Sequence, residues 1–304
     1  MVRQMRVAAM RVAAATLVMA GATMWTTNAG PSGSKIAFEG DRFGDWGLAA
    51  MHPDGTGAVT LNVPGGADAS WSPNGQQVAF EADPLGDGNL EIFIMNADGS
   101  NVRQLTDSPG RDYWPDWFPN GRQLAFTSDR TGAPNVYIMN VDGSDQRALL
   151  DDPEFGTLEP DVAPNGKDVV FMRGRQFEPP TIWKVSVADG VLTQLTQPGP
   201  YEDLDPQFSP NGTRVVFSST RSGTFEIWAM DADGGNLTQL TAAPGADFNP
   251  TFSPDGQQIA WWKQRAGQGD VWVMNSDGTG QLNVTNTPAA FEAFPDWHQG
   301  RLQQ

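Results

Sequence analysis

The sequence predicts an all-β protein: a six-bladed β-propeller of four-stranded antiparallel blades, closed by a blade shared between the N- and C-termini. Three series of residues with one common period predict it. Asp-Gly recurs at Asp54, Asp98, Asp142, Asp189, Asp233 and Asp277, in steps of 44, 44, 47, 44 and 44. A large apolar residue recurs at Trp71, Trp117, Val162, Phe208, Phe252 and Trp297, in steps of 46, 45, 46, 44 and 45. Between these lie Ser72-Pro-Asn-Gly75, Phe118-Pro-Asn-Gly121, Ala163-Pro-Asn-Gly166, Ser209-Pro-Asn-Gly212 and Ser253-Pro-Asp-Gly256. A unit of about 45 residues repeated in this way is the signature of a blade.

Each unit reads as four short strands. The first ends at the recurring apolar residue. The second is a β-branched and aromatic run such as Val78-Ala-Phe80, Leu124-Ala-Phe126 or Val215-Val-Phe217. The third is Ile92-Phe-Ile-Met95 or its equivalents Val136–Met139, Ile227–Met230 and Val271–Met274, and the fourth resembles Arg103-Gln-Leu-Thr106. Runs this short, parted by turn dipeptides, join as antiparallel hairpins. Pro presets φ at the second turn position, and Gly supplies the positive φ that other residues resist. At the chain ends, Ser34-Lys-Ile-Ala-Phe38 matches a second strand and Pro295-Asp-Trp297 a first strand. The two halves make one blade, which removes open sheet edges.

Ahead of the repeats, Met1 to Arg11 carries three arginines, Val12 to Met24 is mostly apolar, and Thr27-Asn-Ala29 ends in small residues. That order is a Sec-type signal peptide over residues 1–29, followed by a propeller domain over 30–304. The apolar run is too short to span a bilayer. The expected location is therefore periplasmic or secreted.

Composition narrows the partners. The net charge is −17, and without Arg3, Arg6 and Arg11 there remain 16 basic against 36 acidic residues, a balance of −20. Such a surface repels phosphate backbones and anionic lipid, so nucleic acid is not expected as a partner. No Cys is present, which excludes disulfides, thiolate metal sites and a Cys nucleophile. His52 and His298 are the two histidines.

Pro115-Asp-Trp-Phe-Pro-Asn-Gly121, Leu124-Ala-Phe-Thr-Ser-Asp-Arg130, Val136-Tyr-Ile-Met-Asn140 and Asp142-Gly143 together resemble one complete TolB-like, or PD40, repeat. The resemblance covers roughly residues 34 to 300. It implies an exported propeller that binds a protein partner in the bacterial cell envelope. Similar repeats occur in prolyl oligopeptidase-type enzymes and in oligogalacturonate lyases. The sequence has neither the Gly-x-Ser-x-Gly of the former nor the histidine cluster of the latter.

Candidate site residues follow from the two faces of the ring. The turns between strands one and two and between strands three and four are tight and nearly uniform. The loops between strands two and three, and those between blades, vary and emerge on the other face, where binding residues are expected. One set there is Arg42, Arg130, Arg173, Arg175, Arg221 and Arg265, the alternative being that each simply pairs with a nearby Asp. A second set is Tyr113, Tyr201, Phe248 and Phe291, which serve either as ligand platforms or as inter-blade packing. A third is Asp112, Asp203, Asp247 and Glu292, three positions before the first-strand Pro, expected to ring the channel mouth or to cap their own turns. Facing carboxylates would attract a cation or a basic peptide. No cofactor is predicted beyond a divalent cation in the channel. The Asp83, Asp87, Asn89, Glu91 group lacks calcium-loop spacing.

The leading expectation is a monomeric, non-enzymatic binding propeller that engages an envelope protein or peptide. The alternative is a carbohydrate-active or other polymer-processing enzyme, with Asp203 and Asp247 as acid and base.

Overall fold

The computed structural model describes residues 35–297 except 176, 288 and 289, so the proposed leader and His298 lie outside the described residues. Six four-stranded antiparallel sheets are arranged as blades. Blade 1 runs through Ala67–Trp71, Gln77–Ala82, Glu91–Asn96 and Arg103–Gln104. Blade 2 holds Asp112–Trp117, Gln123–Ser128, Asn135–Asn140 and Arg147–Ala148. Blade 3 holds Gly156–Val162, Asp168–Gly174, Thr181–Ser186 and Leu192–Gln194. Blade 4 holds Asp203–Phe208, Arg214–Ser219, Glu226–Asp231 and Thr238–Gln239. Blade 5 holds Ala246–Phe252, Gln258–Arg265, Gln268–Asn275 and Leu282–Asn283.

The closing blade takes its first strand, Glu292–Trp297, from the end of the chain and the other three, Ile36–Gly40, Gly47–Met51 and Val59–Pro64, from the beginning. Ile36 pairs with Trp297 and Gly40 with Glu292, so the two ends of the chain join as the first and second strands of one blade. Among the described residues no helix is long and apolar enough to cross a membrane.

The core lies between blades. Strand alternation sends one side chain towards the preceding blade and the next towards the following one. Thus Ala79, Ile92 and Ile94 of blade 1 pack with Trp117, Leu124 and Phe126 of blade 2, and equivalent clusters fill the other five interfaces. Each second strand contributes one fully buried aromatic: Phe38, Phe80, Phe126, Phe171, Phe217 and Trp261.

The Asp-Gly turns serve this packing as well as their own hairpins. Gly99 has a φ of +80°, and a Cβ there would sit 2.4 Å from the Leu61 carbonyl oxygen of the closing blade. Gly143 stands in the same relation to Leu105, at 2.6 Å. The glycine is therefore required by its φ and by the approach of the neighbouring blade.

First strands pack against one another around a central channel. Each carries a β-bulge. At the bulge one non-glycine residue takes a left-handed conformation: Asp68, Trp114, Glu159, Asp205, Asn249 and Phe294, with φ between 45° and 58°. Five of the six are followed by Pro.

Candidate functional site

The first strands enclose a channel cavity of about 120 Å³. Three consecutive residues of each blade line it: the left-handed residue, the Pro or Ala after it, and a polar residue. The polar residues are Ser70, Asp116, Asp161, Gln207, Thr251 and Asp296. They form a circular latch. Asp296 accepts from the Trp71 N–H at 2.9 Å, and the Ser70 hydroxyl donates to Asp116 at 3.0 Å. Asp116 accepts from the Val162 N–H and Asp161 from the Phe208 N–H, at 2.7 and 2.8 Å. Gln207 accepts from the Phe252 N–H and Thr251 from the Trp297 N–H, completing the ring. Every link joins one blade to the next.

Three of these residues are acids in a confined space. Burial pushes the Asp296 carboxyl up to about 7, helped by the charge of Asp116. Burial pushes Asp116 up to about 6 against the hydrogen bonds that favour its charged form. Asp161 is raised well above the carboxylate range by burial and then by the charges of Asp116 and Asp296. Like charges in a low-dielectric channel hold protons to neutral pH.

A second tier surrounds the bulge. Glu39 accepts from the Asp68 N–H, Glu81 from the Trp114 N–H, Glu159 from the Asp205 N–H and Asp205 from the Asn249 N–H. These bonds hold the left-handed backbone that non-glycine residues otherwise resist. Among the described residues no group of three or more His, Cys, Asp or Glu is disposed to hold a metal ion. The Asp83 carboxylate is turned inward on its own loop, accepting from the N–H groups of Gly86 and Gly88 at 2.7 Å each.

The four acids expected at the channel mouth lie elsewhere. Asp112, Asp203, Asp247 and Glu292 do occupy equivalent positions, but all are fully buried and none lines the channel. The bulge separates them from the channel-lining residues, and each meets a cation at the far end of the neighbouring second strand. Asp112 pairs with Arg130 at 2.7 Å, Asp203 with Arg221, Asp247 with Lys263 at 2.8 Å, and Glu292 with Arg42 at 3.2 Å. Three members of the arginine set, Arg42, Arg130 and Arg221, thus turn out to be the counter-ions of three of the four acids, while Asp247 meets Lys263. Burial still raises Asp203 despite Ser219 and Arg221. Glu226 is raised by burial and by Asp247, with Lys263 opposing.

The remaining arginines divide. Arg173 is 9% exposed, pairs with Asp152, and lies between Phe155 and Trp183 at 3.8 and 4.8 Å from their ring centres. Arg265 donates to the Pro244 carbonyl and covers Trp272. Arg175 is 47% exposed by its side chain and pairs with the exposed Glu154. Of the aromatics, Tyr113 packs edge-on to Trp114, and Tyr201 lies under Arg221 at 4.1 Å. Phe248 stacks between Phe225 and Trp262, and Phe291 bridges Trp262 and Trp46.

The latch acids Asp116, Asp161 and Asp296 are not among the candidates that the sequence pattern singled out. The available signal was a carboxylate directly before the core aromatic of a first strand, as in Pro115-Asp-Trp117 and Pro295-Asp-Trp297.

A propeller of this repeat type, with Pro-Asp latches around its channel, belongs to a recognisable class. The profile of the PD40 family, described as the TolB beta propeller domain, matches residues 55–203 and 158–298. The chain belongs to that family. Its fold is similar to TolB from Acinetobacter baumannii, with a TM-score of 0.71 and 19% identity, covering 87% of this chain and 66% of that one. It is also similar to oligogalacturonate lyase from Vibrio parahaemolyticus, with a TM-score of 0.54 and 16% identity, covering 83% of this chain and 74% of that one. Over 81 residues it is 31% identical to an uncharacterized protein of Agrobacterium fabrum (strain C58), 26% of each chain. The chain thus spans about a quarter of that curated relative.

Proposed function

We propose that this chain is an exported, non-enzymatic propeller that works as a monomer and engages a protein or peptide of the bacterial cell envelope through its loop-rich face. The observation that carries this reading is how the polar side chains of that face are used. The acids nominated for proton transfer, Asp203 and Asp247, are fully buried against Arg221 and Lys263, where no substrate reaches them. The groups left in solvent sit on loop tips, with Phe177 96% exposed two residues after Arg175. Binding loops on a rigid scaffold are a common arrangement. Membership of a TolB-type family supports a protein partner, and the basic, apolar and small-residue order of residues 1–29 supports export.

The test is affinity capture from envelope and culture-supernatant extracts, comparing the wild type with Arg175→Ala/Phe177→Ser. Arg173 is left intact, because removing one partner of a buried ion pair costs about 3–5 kcal/mol and would confound the result with unfolding. A partner held by the wild type and lost by the variant supports the reading. Capture of nothing specific by folded wild type counts against it. N-terminal sequencing of exported protein should start at Gly30, and a full-length chain kept inside the cell would refute the export step.

A second reading rests on the channel acids. Carboxyls held near 6 and 7, as for Asp116 and Asp296, have the protonation range of general acids. Incubation with oligogalacturonate and other acidic and neutral oligosaccharides tests it. Product formation abolished by Asp296→Asn would favour the enzyme.

A further inference from the structure

Four of the loops joining second to third strands share one layout with Gly near the tip. They are Asp41-Arg-Phe-Gly-Asp45, Asp83-Pro-Leu-Gly-Asp87, Asp129-Arg-Thr-Gly-Ala133 and Thr220-Arg-Ser-Gly-Thr224. In blades 2 and 4 the residue before the glycine is small and polar, Thr131 or Ser222. In the closing blade and blade 1, which are neighbours, it is Phe43 or Leu85, exposed by 50% and 82%. A single exposed apolar residue calls for no explanation. Two at the same loop position on adjacent blades, each between two aspartates, make a patterned surface.

Both loops are held in shape by their own hydrogen bonds. The Asp83 carboxylate gathers the N–H groups of Gly86, Asp87 and Gly88. Asp41 exchanges bonds with Phe291, its N–H donating to the Phe291 carbonyl and its carboxylate accepting from the Phe291 N–H at 2.7 Å. Gly44 N–H closes the turn on the Asp41 carbonyl at 2.9 Å. Loops ordered beforehand lose little entropy on binding.

We propose that the Phe43 and Leu85 loops form a docking ridge for a basic amphipathic segment of a partner protein, its apolar side chains meeting the two tips and its Lys or Arg meeting Asp45 and Asp87. This deepens the reading of the loop-rich face as protein-binding and rests on it. Charge complementarity selects the occupant. A chain of net charge −17 repels anionic bilayers, nucleic acid and a second copy of itself, whereas a cationic segment is drawn in and seated by the apolar contacts.

The test uses fluorescence anisotropy with a short amphipathic Leu/Lys peptide and a Leu/Glu peptide of the same pattern. The proteins are the wild type and Phe43→Ser/Leu85→Thr, which installs the tip residues already used in blades 4 and 2 and keeps every charge. The Leu/Lys peptide should bind the wild type, weaken with salt, and lose roughly tenfold or more in affinity with the variant. The Leu/Glu peptide should not bind. Equal affinity for both proteins, or no binding of Leu/Lys peptide to the wild type, overturns the ridge. So does self-association in sedimentation velocity that the variant abolishes, or binding of the wild type to anionic phosphatidylglycerol vesicles. If an envelope partner is still captured by the folded variant, the ridge fails while the protein-binding reading stands. If the wild type captures none, that broader reading fails instead.

Discussion

The three aspartates of the channel latch, Asp116, Asp161 and Asp296, set the chemistry of the molecule at residue scale. Asp116 and Asp296 have folded-state values of about 6 and 7, and Asp161 is raised well above its usual range. An unfolded Asp titrates near 4, so between about pH 4 and 7 the folded chain holds protons that the unfolded chain has released. Stability contributed by the neutral carboxyls is thus present at low pH and lost as pH rises towards 7. Asp296→Asn keeps an oxygen to accept from the Trp71 N–H and removes the titration. Its melting temperature should match the wild type near pH 4 and exceed it at pH 8, by about 2–4 °C for each kcal/mol recovered. Scanning calorimetry at both values checks this, and a variant less stable than the wild type at pH 8 would contradict the assigned burial. Acids recur at Asp112, Asp203, Asp247 and Glu292 near the start of the first strands, but the cavity is lined instead by Asp116, Asp161 and Asp296 further along them. Asp112 and Asp116 are four positions apart, and with strict alternation they would face the same way. The bulge at Trp114, with its φ of 54°, breaks that alternation.

At the scale of the element, the second strand is the part most nearly dictated by local pattern. Its aromatic residue is buried between blades wherever the unit recurs, because the strand is covered on both faces. Phe171→Ala should lower unfolding free energy by about 3–5 kcal/mol, the usual cost of emptying a packed aromatic site. Phe126→Ala, in the same environment one blade earlier, should cost nearly as much. Denaturant titration of both variants measures this, and a loss under about 1 kcal/mol would show that the repeat equivalence does not extend to packing. First strands were less legible than second strands. Their register depends on a bulge stabilised by acids of the preceding blade, such as Glu81 for Trp114 and Glu159 for Asp205. The partner lies 33 or 46 residues away, outside any local pattern.

For the whole molecule, closure is the decisive event. The strand Glu292–Trp297 joins the ends of the chain, and the Asp296 latch to Trp71 carries the bond circuit past that seam. A chain ending at Phe291 would leave the strand Ile36–Gly40 with an open edge, which templates association. It should aggregate or lose its single cooperative unfolding transition, and light scattering with calorimetry will detect either. A soluble truncated monomer with unchanged melting would show that the ring does not depend on its last strand.

The blade count, the strand order, the turn residues and the shared closing blade are all determined by the sequence alone. Each is written in short stretches repeated with one period, and a local pattern repeated many times needs no knowledge of its neighbours. Which acids face the channel, which hold protons and which are tied to arginine were decided by tertiary structure. Glu292 meets Arg42 across 250 positions of chain, and Asp161 is shifted by Asp116 and Asp296 from two other blades. Burial and charge depend on what the completed ring brings within a few ångströms, and that proximity exists only once the blades have closed.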